Sequence, residues 1–419
     1  MAIGSGLSST AGIATETVVG SPVPVTRFVE HNSTSLAAKK TVVQGAGLRG
    51  GSFVRRSARR NLVARQAAGD LAFDVPTNGF GLFLQHMLGS FSATAVALGG
   101  GLFQQIHNTG SLQGKSFTTQ IVKPDTSGVL APQVFTYPGC KVSAWELSAQ
   151  QGQQLQTKLT IDALDEATAQ NAIPNTTLAA ATIATATTIS TVATIAVGSY
   201  ITIDKGPLAE VRQTTAVTGA GPYTVTVPAL NIAHAIGAQV GSATGVNYGT
   251  AASLQAASYV STVSMWDFSQ GALIVGGATS VVSGVWTQTG GTTVANVRSV
   301  LVKGSNPMKV DRFGLGSQVR SEQLENNWRD YTSVLQVEYN SRLYYDAYIA
   351  DAPVALQLKF VNPAGATLQI YVPVTLIEDG ASPQVAGPDI IIQTLNLTLL
   401  DDGTNGHLQA IYTSTDAAV

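Results

Sequence analysis

The stretch Gly69–Gly89, GDLAFDVPTNGFGLFLQHMLG, most constrains what this chain can fold into. Leu71, Phe73 and Val75 alternate with Ala72 and Asp74, the period-2 pattern of a half-buried strand. Pro76 has no N–H to give a ladder and ends that strand. Thr77 or Asn78 can cap the next element. Phe80, Phe83, Leu84, Met87 and Leu88 then fall on a single apolar helix stripe. Gly89 suits the position just past the helix end. One strand therefore runs straight into one helix.

The same unit recurs at 333–351, SVLQVEYNSRLYYDAYIAD. Val334 to Tyr339 read as a strand, Asn340 or Ser341 can cap, and Leu343, Tyr344, Ala347 and Tyr348 share a helical face. Downstream of the first unit come SFTTQIVKP and a strand ending LTIDALDEAT; downstream of the second come ALQLKFVNP and LTLLDDGTN. Upstream of each lies a polar loop with arginines. The chain reads as two copies of one β-rich domain with a flanking helix.

Composition narrows the function. Charged residues make up 11% of the chain, less than half the usual share, while hydrophobic content is ordinary. Disorder would need low hydrophobicity as well. A surface so poor in charge fits a protein that covers much of itself with further copies. The net charge of −2 argues against a binder that works by neutralising phosphates. Cys140 is the single cysteine, so neither a disulfide framework nor a cysteine metal site forms within one chain. The five histidines are scattered without paired spacing. The start, MAIGSGLSSTAG, has no basic and apolar signal pattern, and no window has transmembrane character, so a protein made soluble in a reducing compartment is expected.

In chain order, 1–30 reads as an extended N-terminal arm, 31–170 as the first domain copy, 171–246 as a small inserted all-β module and 247–419 as the second copy. The insert has few charges and many β-branched residues, with short strands punctuated by glycine. Cys140–Leu164 reads as a hairpin pivoting near Gly152. In its second strand Leu155, Thr157, Leu159 and Ile161 face one way. Gln154, Gln156, Lys158, Thr160 and Asp162 face the other, toward water or a channel.

Motifs for chemistry fail on context. Gly45-x-Gly47-x-x-Gly50 has dinucleotide-binding spacing, but SFVRRSARR follows instead of an apolar helix. Gly110–Ser116, GSLQGKS, is one residue short of a phosphate loop and runs into a strand. There is no G-x-S-x-G elbow. Asp162, Asp165 and Glu166 cluster without a histidine and read as a solvated turn. No cofactor, metal or catalytic set is expected, and no enzyme. Arg55, Arg56, Arg59, Arg60 and Arg65 place five of the 23 basic residues in eleven positions. This run is a solvated loop, a contact loop meeting carboxylates on another subunit, or a loop that binds DNA phosphate directly; arginine suits the second by its bidentate geometry.

Several strings in order, GDLAFDVPTNGFGLFLQHMLG, YPGCKVSAWELSAQQGQQLQTKLTIDALDE, FSQGALIVGG, DRFGLGS and VAGPDIII…LLDDGTNG…YTSTD, together resemble the tail tube (major tail) proteins of long-tailed bacteriophages. The resemblance covers about 10–170 and 265–419. It implies tail-tube-type β-sandwiches with a flanking helix, in rings whose strands join edge to edge and stack into a hollow conduit for genome ejection that first houses the tape-measure protein. The implied partners are other copies of the chain, the tape-measure protein, the tail terminator and distal tail proteins, and DNA passing without specific binding, with no membrane. The implied place is the virion tail, after assembly in the host cytoplasm. With two copies per chain, a homotrimeric ring reproduces the sixfold arrangement of one-domain relatives; a homohexamer is the alternative. Gln154, Gln156, Thr160 and Asp162 are the candidate lumen residues. The competing reading is a virion adhesin or carbohydrate-binding decoration, which the sparse aromatics of the insert, Tyr200 and Tyr223, disfavour.

Overall fold

The computed structural model describes residues 6–91, 95–123, 133–168, 172–204, 208–243, 254–259, 264–385, 387–404 and 406–418. The first part of the chain forms β1 (Thr10–Thr15), β2 (Arg27–Val29), β3 (His31–Thr34), β4 (Ala37–Gln44), β5 (Arg60–Asp74) and α1 (Gly81–Leu88). There follow β6 (Gly89–Phe91), β7 (Val96–Gly99), β8 (Leu102–Thr109), β9 (Phe117–Lys123), β10 (Gln133–Gln150), β11 (Gln156–Ala163) and β12 (Ala167–Thr168). Short strands β13 to β19 lie within Ala172–Ala243. Then come β20 (Gly271–Val275), β21 (Ala278–Val282), β22 (Val285–Thr289), β23 (Thr292–Val294), β24 (Val297–Ser305), β25 (Met308–Lys309) and β26 (Leu324–Glu325). The chain ends in β27 (Asp330–Glu338), α2 (Leu343–Ile349), β28 (Val354–Val361), β29 (Thr367–Asp379), β30 (Ile392–Leu400) and β31 (Gln409–Ser414).

The duplication is written in the strand pairing. β5 leads into α1 and pairs with β4 and β11; β27 leads into α2 and pairs with β24 and β30. β10 pairs with β9, β11 and β12; β29 pairs with β28, β30 and β31. β1 pairs with β9 and β2; β20 pairs with β28 and β23. Even irregularities repeat. The ladder slips between His31 and Ser33 in one copy and Val297 and Ser299 in the other, and between Val142 and Ala144 against Ile377 and Asp379. Bulges of this kind are built-in features that fix where a strand bends.

Each copy is a sandwich whose layers share one long strand. The first half of β10 lies with β9, and its second half pairs with β11; β29 behaves alike. One layer runs through both copies in the order β4-β5-β11-β10-β24-β27-β30-β29, and no described pairing closes it on itself. The apolar core is likewise shared, from Leu71, Phe73 and Phe83 through Trp145 to Leu335 and Leu395. Ala172–Ala243 packs around a separate cluster that includes Ile201, Ile203, Val225 and Val240. Its first and last strands are partners, Ala172 opposite Ala243, so its ends leave side by side. Inside it, a buried Glu210 binds Arg212 and His234 at 2.6 Å each.

Some expectations differ. The segment expected as an arm contains β1, in which Ala11 and Ile13 are fully buried; its small residues, TAGIAT, carry too little apolar contrast to show a period. α1 starts at Gly81 with no side-chain cap, and the Thr77 hydroxyl meets that of Ser264 instead. Gly89 does end that helix in the left-handed region. Among the described residues, no helix is long and apolar enough to cross a membrane.

Candidate assembly interface

The two copies meet along a seam of main-chain hydrogen bonds between β10 and β24, from Ala144 opposite Ser305 to Gln150 opposite Ser299. Backbone pairing of this kind is indifferent to whether the strands belong to one chain or two. Trp145 fills the space over Gly304; a Cβ on that glycine would lie 2.3 Å from the indole. On the solvent face Lys303 bridges to Glu146 at 3.2 Å.

A segment of the second copy, 306–329, then folds over the first and grips it. Asn306 donates to the carbonyls of Met87, at the end of α1, and Val142, each at 3.0 Å. Arg320 donates to Gln66 and Ala163 and is paired with Asp162. Lys141, buried, pairs with Glu322 at 2.6 Å and donates to the carbonyls of Leu112 and Gln323. Arg329 donates to the carbonyls of Leu88 and Gly110 and pairs with Glu325. Burial pushes the Glu322 and Glu325 carboxyls up. The lysine or arginine beside each, with the N–H of Gly114 or Leu112, outweighs that and holds them below the usual range. This segment completes the burial of α1, of which every residue is buried.

The counterparts of these two features lie open. β4 pairs with β5 alone among the described strands, and Ala37 to Lys40 are exposed. At the far end of the layer, Glu378 and Asp379 are exposed at the end of β29. The counterpart of the gripping segment is the loop between β4 and β5, with Leu48, Phe53 and Val54 largely or wholly exposed. α2 buries only Tyr344, while Leu343 and Ile349 face solvent.

A family model described as phage tail tube protein matches the chain twice, over residues 6–217 and 194–399. The chain belongs to the phage tail tube protein family. Two matches agree with the doubled topology, and they overlap within the inserted module. No curated protein matches the chain. The family is structural rather than enzymatic, and its place is the virion tail.

In this tail tube protein the five arginines do not act alike. Arg55, Arg56 and Arg59 on the β4–β5 loop and Arg60 at the start of β5 are exposed, with no ion pair among the described residues. Arg59 lies across Gly47, its exposed guanidinium occupying the space a Cβ would take there. Arg65 instead pairs with Asp165 at 2.9 Å, and its N–H donates to Gln318 of the gripping segment.

The lumen candidates also divide. Gln154 and Gln156 are exposed, Gln156 donating to Asp74. Thr160 is half-buried and donates to Asp70. Asp162 is buried against Arg320 and does not share their exposure; with Asp165 it belongs to ion pairs, not to the expected solvated turn. Lys158, on the same strand face as these candidates, pairs with Asp70 at 3.2 Å. Along the layer two further cations do the same, Lys303 with Glu146 and Arg298 with Glu338, whereas Lys39 and Lys40 on β4 and Arg60 at the start of β5 have no ion pair among the described residues. Sequence reasoning missed the residues 306–329 that join the copies, because their partners lie far away in the chain.

Proposed function

We propose that this tail tube protein assembles into rings of three chains, each chain supplying two of six quasi-equivalent sandwiches, and that the rings stack into the tail conduit. The conduit houses the tape-measure protein, is bounded by the tail terminator and distal tail proteins, and passes DNA on genome ejection without binding it. Assembly takes place in the host cytoplasm. What carries this reading is the β10–β24 seam: inside one chain, it is already a junction between two tube domains. Barrels of 16–18 strands already enclose water, and six domains giving about four strands each enclose a wider channel. The polar layer with its paired cations supports a wall that lets phosphates slide, since unpaired arginines would hold them.

The test is electron microscopy of the purified protein across concentration, with ring mass measured in parallel. Stacked rings with three outward lobes and the mass of three 43.3-kDa chains support the reading. Six lobes, or a mass near six chains, would discard the trimer and keep the tube.

A further inference from the structure

The repeat specifies how one chain would meet the next. Counting on from the matching bulges, Ser305 of β24 corresponds to Lys39 of β4, and Ala144 of β10 to Asp379 of β29. Ser305 and Ala144 are opposite each other in the internal seam. The same register, applied to the outer edge of β4, where the Ala38 N–H is held by the Glu166 carboxylate, and to Asp379, which ends β29 and accepts from Asn396, sets Lys39 of one copy against Asp379 of another. The internal seam carries its acid, Glu146, on the β10 side and its base, Lys303, on the β24 side. The outer edges keep that polarity, displaced by two residues, which leaves the pair on the same face of the sheet. Lys40 corresponds to Asn306, which binds the carbonyl of Met87 near the end of α1 and that of Val142 in β10. A lysine there meets the C-terminal end of α2, where a cation is favoured.

Charge agrees over a longer range. Residues 37–65 contain eight basic and no acidic side chains, whereas 330–419 contain ten acidic and two basic. The exposed face of α2, with Leu343 and Ile349, lies where the internal counterpart is covered by 306–329.

We propose that the arm 37–65 of one chain docks on the second repeat of a second copy, with β4 extending the sheet beside β29 and Lys39 and Lys40 facing Glu378 and Asp379. This rests on the ring reading, but it fixes an interface and a register that the ring alone leaves open. Arg55, Arg56, Arg59 and Arg60 then lie over the acidic repeat of the neighbour.

The test uses the full chain and three variants: K39E/K40E, E378K/D379K, and all four changes together. These side chains are exposed, and the one hydrogen bond lost, from Asn396 to Asp379, lies at the surface, so the melting of each monomer is measured beside wild type as the control. Each pair of changes alone should raise the concentration needed for ring formation at least tenfold, and the combined variant should restore it. A zero-length carbodiimide should join Lys39 or Lys40 to Glu378 or Asp379 in wild-type rings, and a mixture of light and heavy isotope-labelled chains should give hybrid cross-links. Wild-type rings that form equally well from every variant would overturn the seam and leave the tube reading intact. So would cross-links from Lys39 and Lys40 confined to other carboxylates. A wild-type chain that forms no ring at any concentration would overturn both.

Discussion

Arg320 is the residue on which the grip between the copies depends. Its side chain is fully buried, and it satisfies Asp162 as well as the main chain of Ala163. Arg320→Met should cost about 3–5 kcal/mol, because Asp162 is left as a buried charge without its partner; urea denaturation measures it. The double change Arg320→Met, Asp162→Leu should recover most of that loss. Two histidines set the response to acid. Burial, with lesser repulsion from Lys115 and Lys141, lowers His86 to about 3, and burial alone lowers His107 to about 3. The unfolded chain binds these protons near the ordinary value of 6.5, and the folded chain does not. Stability should therefore fall as pH drops below 6.5, by about 1.4 kcal/mol per pH unit for each ring. Urea midpoints between pH 7 and 5 would show the slope, and His107→Leu should reduce it, with His86 and the less buried His31 and His407, also shifted down by burial, carrying what remains. Glu322 and Glu325 have the carboxylate sense: their contribution is present above 4.5 and is lost as pH falls below it.

At the scale of elements, the insert is a module apart. It has its own cluster, and its first and last strands are adjacent partners. Replacing 172–243 by a short flexible linker should leave ring formation unchanged, as read by sedimentation, and should remove one unfolding transition from calorimetry. What was legible in the sequence follows from range. β5, α1 and the hairpin at Gly152 were legible because period-2 and period-3.6 patterns are local. The strand β1 was hidden by its small residues, among which Gly12 leaves room for Val25 and Phe28. The seam and the pairs Arg320–Asp162, Lys141–Glu322 and Arg65–Asp165 were not legible, since nothing local in a sequence marks which distant carboxylate an arginine will meet. The different fates of α1 and α2 escaped for the same reason. Both carry an apolar stripe, and only the covering segment decides which is buried.

For the whole molecule, the shared core makes the two sandwiches one cooperative body. Trp145 and Tyr331, from different copies, lie with ring centroids 5.9 Å apart. The first copy expressed alone should lose Asn306, Arg320 and Arg329 from around α1 and should not fold to a native-like state, as judged by near-ultraviolet circular dichroism. Supplying the second copy in trans should restore it.

The β10–β24 seam is also a matter of mechanics. A tube under internal pressure, as the proposed conduit would be while DNA passes, is loaded around its circumference, and that hoop tension must pass through every junction in a ring. In a ring of three such chains, alternate junctions are spanned by covalent polypeptide as well as by hydrogen bonds. Rupture is then confined to the three junctions between chains, where the tube wall yields first.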